Sequence, residues 1–213
     1  MLDLKNTTLF SIAWGDKISP TKIAMDHCCK QCNFGDVQLI TSVVDNEIGY
    51  NKFIVEHLNE TIKTEFCLVM QWDGFIIDTE EWDDIFFQYD YIGAVWHFED
   101  CKNNVGNGGF SLRSKRFLEL SSGIKYDYDK ISWHSSDQSK DRPVAPEDWF
   151  LCYDKYDYMI ENKIKFAPIS IANRFSVEKN GYNNQHNLDD ISTYCSFGFH
   201  GSHNVAAMEL LEK

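Results

Sequence analysis

Four short stretches of this 213-residue chain carry side chains whose types and spacing can do chemistry. The first is Asp73-Gly74, directly behind the apolar run EFCLVM at 65–70. A carboxylate at the end of a buried strand can reach a divalent cation that bridges a diphosphate, because Mg2+ and Mn2+ take oxygen ligands and keep positions open for phosphates. A turn-forming Asp-Gly pair is the structural alternative. The second is Gly106-Asn107-Gly108-Gly109, where three glycines in four residues let backbone approach a ligand closely and expose amide donors. A hairpin or bulge is the alternative there. The Lys-Ser/Thr of a Walker loop is missing, and the stretch does not follow the first strand as a Rossmann fingerprint would.

The third stretch is Glu147-Asp148, behind Pro146. Acidic residues suit the first turn of a helix because of its dipole. A carboxylate there can also serve as a general base toward an acceptor hydroxyl. The fourth is His200, between two glycines in FGFHG. A neutral imidazole can complete the coordination of Mn or Mg, and a structural histidine is the alternative. Glycosyl transfer needs a base and stabilisation of a leaving diphosphate, which a metal provides electrostatically. Asp73 as metal carboxylate and Asp148 as base would supply that minimum.

Something must hold these residues together. The apolar runs TLFSIAW (8–14), VQLITSVV (37–44) and EFCLVM (65–70) read as buried strands. Between them, 21–32 and 50–62 place apolar residues at helical spacing. Strand, helix, strand, helix, strand argues for a mostly parallel sheet flanked by helices, whose ligands bind at the carboxyl ends of the strands. Further on, 81–89 reads as a short amphipathic helix and DYIGAVW (90–96) as a strand. The Gly-rich loop runs into a strand and then a helix at 115–122. A helix covers 147–161, and a strand split at Pro168 lies within 164–175. Residues 126–141 and 180–189 are polar loops, the former a candidate mobile segment. A short helix follows His200. The expected architecture is α/β, one domain over residues 1–213, with a small second sheet element.

Composition narrows the partners. The formal net charge is −13, which argues against nucleic acid, whose phosphates need Lys/Arg patches. No apolar stretch approaches the ~20 residues of a membrane span. The N-terminus has no basic region of a signal peptide. The seven cysteines are odd in number and lie mostly in apolar segments, which suggests free thiols in a reducing, cytoplasmic compartment. Cys28-Cys29-x-x-Cys32 has the look of half a zinc site, but no second Cys/His pair with matching spacing follows closely. Aromatics at 15% are core volume by default, with a sugar-stacking platform as the other use.

With these residues in place, the chain resembles a glycosyltransferase-like domain family. The resemblance rests on Gln71-Trp72-Asp73-Gly74-Phe75, DYIGAVW at 90–96, GNGGFSLRS at 106–114 and Glu147-Asp148, and it covers roughly residues 7–200. It implies a GT-A-like fold, a nucleotide-diphosphate sugar donor with a UDP-sugar favoured, and transfer to a hydroxyl of a glycan or other acceptor. Asp73 then takes the place of the metal-binding D-x-D motif, although position 71 is Gln and not Asp. One carboxylate, with His200 helping, would hold Mn or Mg. By the same analogy Ser11, Ala13, Trp14, Val44, Gln71 and Trp72 line the nucleotide. Trp96, Asn107, Gly108 and Gly109 contact the donor sugar or acceptor, and Glu147 or Asp148 is the base.

Other readings are a non-catalytic nucleotide-sugar or carbohydrate-binding module on the same fold, and a nucleotidyltransferase. The second would want a Gly-rich basic loop after the first strand, which Gly15-Asp16-Lys17 matches poorly. A two-carboxylate glycoside hydrolase ranks last, since nothing singles out two acids from a background of 33.

Overall fold

The computed structural model describes residues 1–96, 101–127, 129, 144–178 and 195–201. Its main sheet has five strands in the order β2-β1-β3-β6-β5. These are β1 (Leu2–Ile12), β2 (Cys32–Ile40), β3 (Phe66–Met70), β5 (Tyr91–Ile92) and β6 (Phe110–Ser114). β1 pairs in parallel with both β2 and β3, while β6 runs antiparallel between β3 and β5. Every strand but β6 therefore points the same way. A smaller sheet, β4-β8-β7, joins Gly74–Ile76, Gly198–His200 and Ser176–Glu178.

The chain leaves β1 through helix α1 (Ile18–Gln31) to β2 on one side, then returns through α2 (Glu47–Glu56) and α3 (Leu58–Thr61) to β3 on the other. The strand order reverses at β1, and in such sheets ligands bind outside the carboxyl ends of the strands on either side of the reversal, here β1 and β3. That is where Trp14 and the Gln71–Asp73 corner emerge.

Alternation along the strands sorts their side chains into two layers. Leu68 and Met70 of β3, with Phe110 and Leu112 of β6, face a core shared with α1, helix α7 (Ile169–Phe175) and the small sheet. Cys67 and Val69 face the opposite core, built by α2, α3, helix α4 (Lys115–Ser122) and the helical stretch from α5 (Glu147–Trp149) to α6 (Tyr156–Glu161). Because both faces are covered, β3 reads as a continuous apolar run. Helix starts follow ordinary capping: Asn46 accepts the Gly49 N–H at α2, and Ser114 accepts the Phe117 N–H at α4.

Several elements differ from the sequence expectation. The segment 81–89 is not a helix but two 3-10 turns, Thr79–Glu81 and Asp84–Gln88, because Asp78 and Asp83 each cap a turn and cut the run. Within 164–175 the expected strand is helix α7, which Pro168 starts from its N-cap position; only Ser176–Glu178 beyond it is a strand. The 50–62 helix breaks at His57. Residues 147–161 are interrupted by a π-turn at Phe150–Asp154. The loops at 130–141 and 180–189 and the helix expected after His200 lie outside the described residues. All seven cysteines are free thiols. Among the described residues, no helix is long and apolar enough to cross a membrane.

Candidate active site

The Gly108–Gly109 corner is where the site is assembled. β3 ends at Met70, and the Gln71 N–H bonds back to the Gly109 carbonyl at 2.8 Å, which sets Asp73 beside the loop. Asp73 is nearly buried. Gly74 pairs with His200 across β4 and β8, which brings His200 beside Asp73. His200 Nε2 then lies 3.3 Å from Asp73 Oδ1, and its Nδ1 lies 3.8 Å from Glu178 Oε1. Burial alone would lower the His200 pKa, but Asp73 and then Glu178 outweigh it and leave the imidazole more basic than usual. Burial likewise pushes Asp73 up, and the imidazolium pulls it below its ordinary value.

On the other side of the loop, Asp148 is half-buried. Its Oδ2 accepts the Gly108 N–H at 2.7 Å and its Oδ1 the Trp149 N–H at 2.7 Å. Its pKa is pushed up to about 6, first by burial and then by the charge of Glu147; the two N–H donors and Arg113 pull the other way. A carboxylate that still titrates near neutrality is suited to accept a proton.

Glu147 is placed differently. It is 2% exposed and receives two hydrogen bonds from Arg113, Nη2 to Oε1 at 2.8 Å and Nη1 to Oε2 at 3.1 Å. Arg113 is fully buried; its Nε bonds Ser111 Oγ at 3.0 Å and its guanidinium lies over the Tyr91 ring at 5.4 Å. Alternation in FSLRS explains this: Phe110 and Leu112 face one core, and Ser111 and Arg113 face α5 on the other. Asn51 Oδ1 accepts the Glu147 N–H at 3.1 Å, which ties α2 to the start of α5.

The loop glycines serve close approach. A Cβ on Gly108 would meet Glu147 Oε1 at 2.7 Å and Asp148 Cβ at 2.8 Å, and one on Gly109 would meet His200 Nε2 at 1.9 Å. Asp148 takes the Gly108 N–H, and Asn107 Oδ1 takes the Gly109 N–H at 3.1 Å. The amide donors expected to face a ligand are thus occupied within the protein. Gly109→Ala should push His200 off Asp73 and cost about 1–3 kcal/mol, as overpacking does. The His200 titration, followed by NMR, should fall back toward 6.5; an unchanged titration would contradict this placement.

The remaining expected residues fall around this centre. Trp96 packs its ring on Gly106, 5.6 Å from the Trp149 ring. Gln71 does not face Asp73: its Nε2 donates to Tyr50 Oη at 3.0 Å. Tyr50 stands 6.0 Å from the Trp14 ring, and Lys17 lies over Trp14 at 4.9 Å. Trp72 is half-buried beside them in sequence. Ser11 is fully buried and donates to the Met70 carbonyl, and the Ala13 N–H bonds the Ile40 carbonyl, so both knit strand ends together. Val44 packs on the core under α2. Arg113, Glu178 and Tyr50 were not singled out from the sequence. The alternation of FSLRS beside a later Glu-Asp pair was the available signal for Arg113.

Asp73 and His200 are the side chains here that could hold a hard divalent ion. One offers carboxylate oxygen and the other imidazole nitrogen, and their 3.3 Å separation is close to the ~3.0 Å between adjacent ligands of an octahedral ion bound at about 2.1 Å. Among the described residues, no three or more His, Cys, Asp or Glu side chains are grouped to hold a metal.

Comparisons with known proteins bear on the fold. The crystal structure of a glycosyltransferase involved in glycosylation of the major capsid of PBCV-1 superposes with a TM-score of 0.58 at 14% identity, covering 97% of this chain and 98% of that one. Galactosyltransferase LgtC, in complex with donor and acceptor sugar analogs, aligns over 92% of this chain and 86% of its own at 13% identity and a TM-score of 0.48. No curated protein matches the sequence. The fold is α/β and GT-A-like. The family described as "Protein of unknown function (DUF5672)" matches residues 36–200, and the chain belongs to that family.

Proposed function

We propose that this protein transfers a sugar from a nucleotide-diphosphate sugar, a UDP-sugar by preference, to a hydroxyl acceptor. The observation that carries this reading is the convergence on Gly108–Gly109 of a raised-pKa carboxylate, Asp148, and an Asp73–His200 pair, at the carboxyl end of β3. Asp148 accepts the proton of the acceptor hydroxyl as that oxygen bonds to the anomeric carbon. The bond from that carbon to the diphosphate oxygen breaks, and the nucleoside diphosphate leaves with the electron pair. Asp73 and His200 would hold Mn2+ or Mg2+, which when bound stabilises the charge of the leaving diphosphate. Arg113 and Glu147 hold the loop and α5 in register, so that Asp148 stays aimed; Glu147, locked by Arg113, takes no proton from the acceptor. Trp14 and Gln71, each in contact with the buried Tyr50, would line the base. Trp96 and Asn107 would contact the sugar.

A thermal-shift panel of nucleotide-sugars with and without Mn2+ tests the ligand class. A donor at 100 times its Kd stabilises the fold by about 2.7 kcal/mol, roughly 5–11 °C for a chain of this size. The shift should need Mn2+ and should vanish in Asp73→Ala. If no UDP-, GDP- or CMP-sugar raises the melting point under either condition, this reading fails.

A further inference from the structure

β7 ends on Glu178, and its parallel register with β8 sets Glu178 directly beside His200. The imidazole is thereby held between two carboxylates on opposite edges: Nε2 toward Asp73 Oδ1 at 3.3 Å and Nδ1 toward Glu178 Oε1 at 3.8 Å. Both carboxylate side chains are about nine-tenths buried, at 9% and 11% exposure. The Nε2 edge presses on Gly109, where even a Cβ has no room. The ring's orientation is therefore set by the backbone on one side and by β7 on the other.

A histidine that binds a cation through Nε2 must be neutral and must carry its proton on Nδ1. A free neutral imidazole has no such compulsion; what selects the tautomer is an acceptor opposite Nδ1, which also makes the ligating nitrogen more basic. Glu178 is the carboxylate in that position. It comes from a strand and not from a loop, anchored by the buried Ser176 opposite Gly198. The 3.8 Å separation is a charge contact, and about 1 Å of side-chain movement brings it to hydrogen-bond length.

We propose that Glu178 is a positioning residue that fixes the Nδ1–H tautomer of His200 and so aims Nε2, together with Asp73, at a divalent cation. This rests on the metal reading of the Asp73–His200 pair given above. If His200 were only an ion-pair bridge between the strands, Glu178 would matter for folding but would leave the tautomer and the cation affinity alone.

The test uses the full chain and Mn2+ alone, with no nucleotide, by titration calorimetry at pH 7.5. Glu178→Ala should weaken Mn2+ binding about 10–100-fold. Glu178→Gln, whose amide oxygen still accepts from Nδ1–H, should weaken it less than about tenfold. On metal-free protein above the His200 titration, 15N NMR should find Nδ1 protonated in the wild type and in Glu178→Gln, and a mixture in Glu178→Ala. If Glu178→Ala does not fold, the wild-type and Glu178→Gln spectra decide the matter, and an Nε2–H ring in both sinks the proposal. Mn2+ affinity and tautomer unchanged in Glu178→Ala, while Asp73→Ala and His200→Ala lose the metal, would overturn the role of Glu178 and leave the metal site standing. Wild-type Mn2+ binding that is absent, or indifferent to Asp73→Ala and His200→Ala, would overturn the metal reading and this proposal with it.

Discussion

Asp148→Asn should lower kcat by about 10²–10⁴-fold while leaving donor affinity within a few-fold, because it removes the proton acceptor and little else. An asparagine fills the same volume and its single oxygen can keep one of the two N–H contacts from Gly108 and Trp149. The pH dependence separates this from a structural defect. The Asp148 pKa rises from 3.8 to about 6 on folding, so the native state holds the proton more tightly than the unfolded chain. Ionised Asp148 therefore costs stability at pH values above about 6, up to about 3 kcal/mol, and the cost fades as pH falls toward 4. Wild-type stability relative to Asp148→Asn, measured by urea unfolding, should decline as pH rises from 4 to 7. Over the same range wild-type kcat/KM should climb through about pH 6 as the base loses its proton. A variant that keeps a tenth or more of wild-type turnover would rule Asp148 out as the base.

Arg113→Met should be the most damaging substitution for stability. It leaves the Glu147 carboxylate buried at 2% exposure without its two-point partner, and breaking such a pair costs about 3–5 kcal/mol. Against the ~5–15 kcal/mol that hold a domain together, that lowers the melting point by roughly 6–20 °C for a chain of this size. Replacing both partners, as Arg113→Met with Glu147→Leu, should recover much of the loss, since apolar pairs of similar volume replace buried ion pairs well. Turnover should not return with it. The guanidinium also reaches Ser111, and Glu147 precedes Asp148 in the same turn, so loosening the pair misplaces the base; displacements of about 1 Å can cost 10²-fold. Melting curves and kcat on the single and double variants check both halves. A double variant that is both stable and fully active would show that the pair has no positioning role.

The sequence exposed the scaffold where apolar runs are long and Gly/Pro punctuation is strong. β1, β3 and the helices between them follow from that pattern, and Asp73 follows β3 as the strand-end rule requires. It was silent on pieces of three residues. β4, β7 and β8 are too short for a two-residue period to register, yet their pairing alone brings His200 to Asp73 and Glu178. Pro168 misled in another way: it reads as a strand breaker but serves as a helix N-cap, and apolar 164–175 fits either element. Arg113 was hidden because alternation reports two faces of a strand without reporting that both are buried. The role of Gln71 was equally out of reach of the sequence, since its amide ties the end of β3 to Tyr50 on α2.

The most direct test of the central claim is nucleotide release from UDP-, GDP- and CMP-sugars by the wild-type protein with Mn2+ and a mixed panel of glycan acceptors. Turnover of one donor class is expected, with a UDP-sugar favoured, that rises through about pH 6 and disappears in Asp148→Asn. Release of no nucleotide from any donor, or release that Asp148→Asn leaves intact, would contradict it.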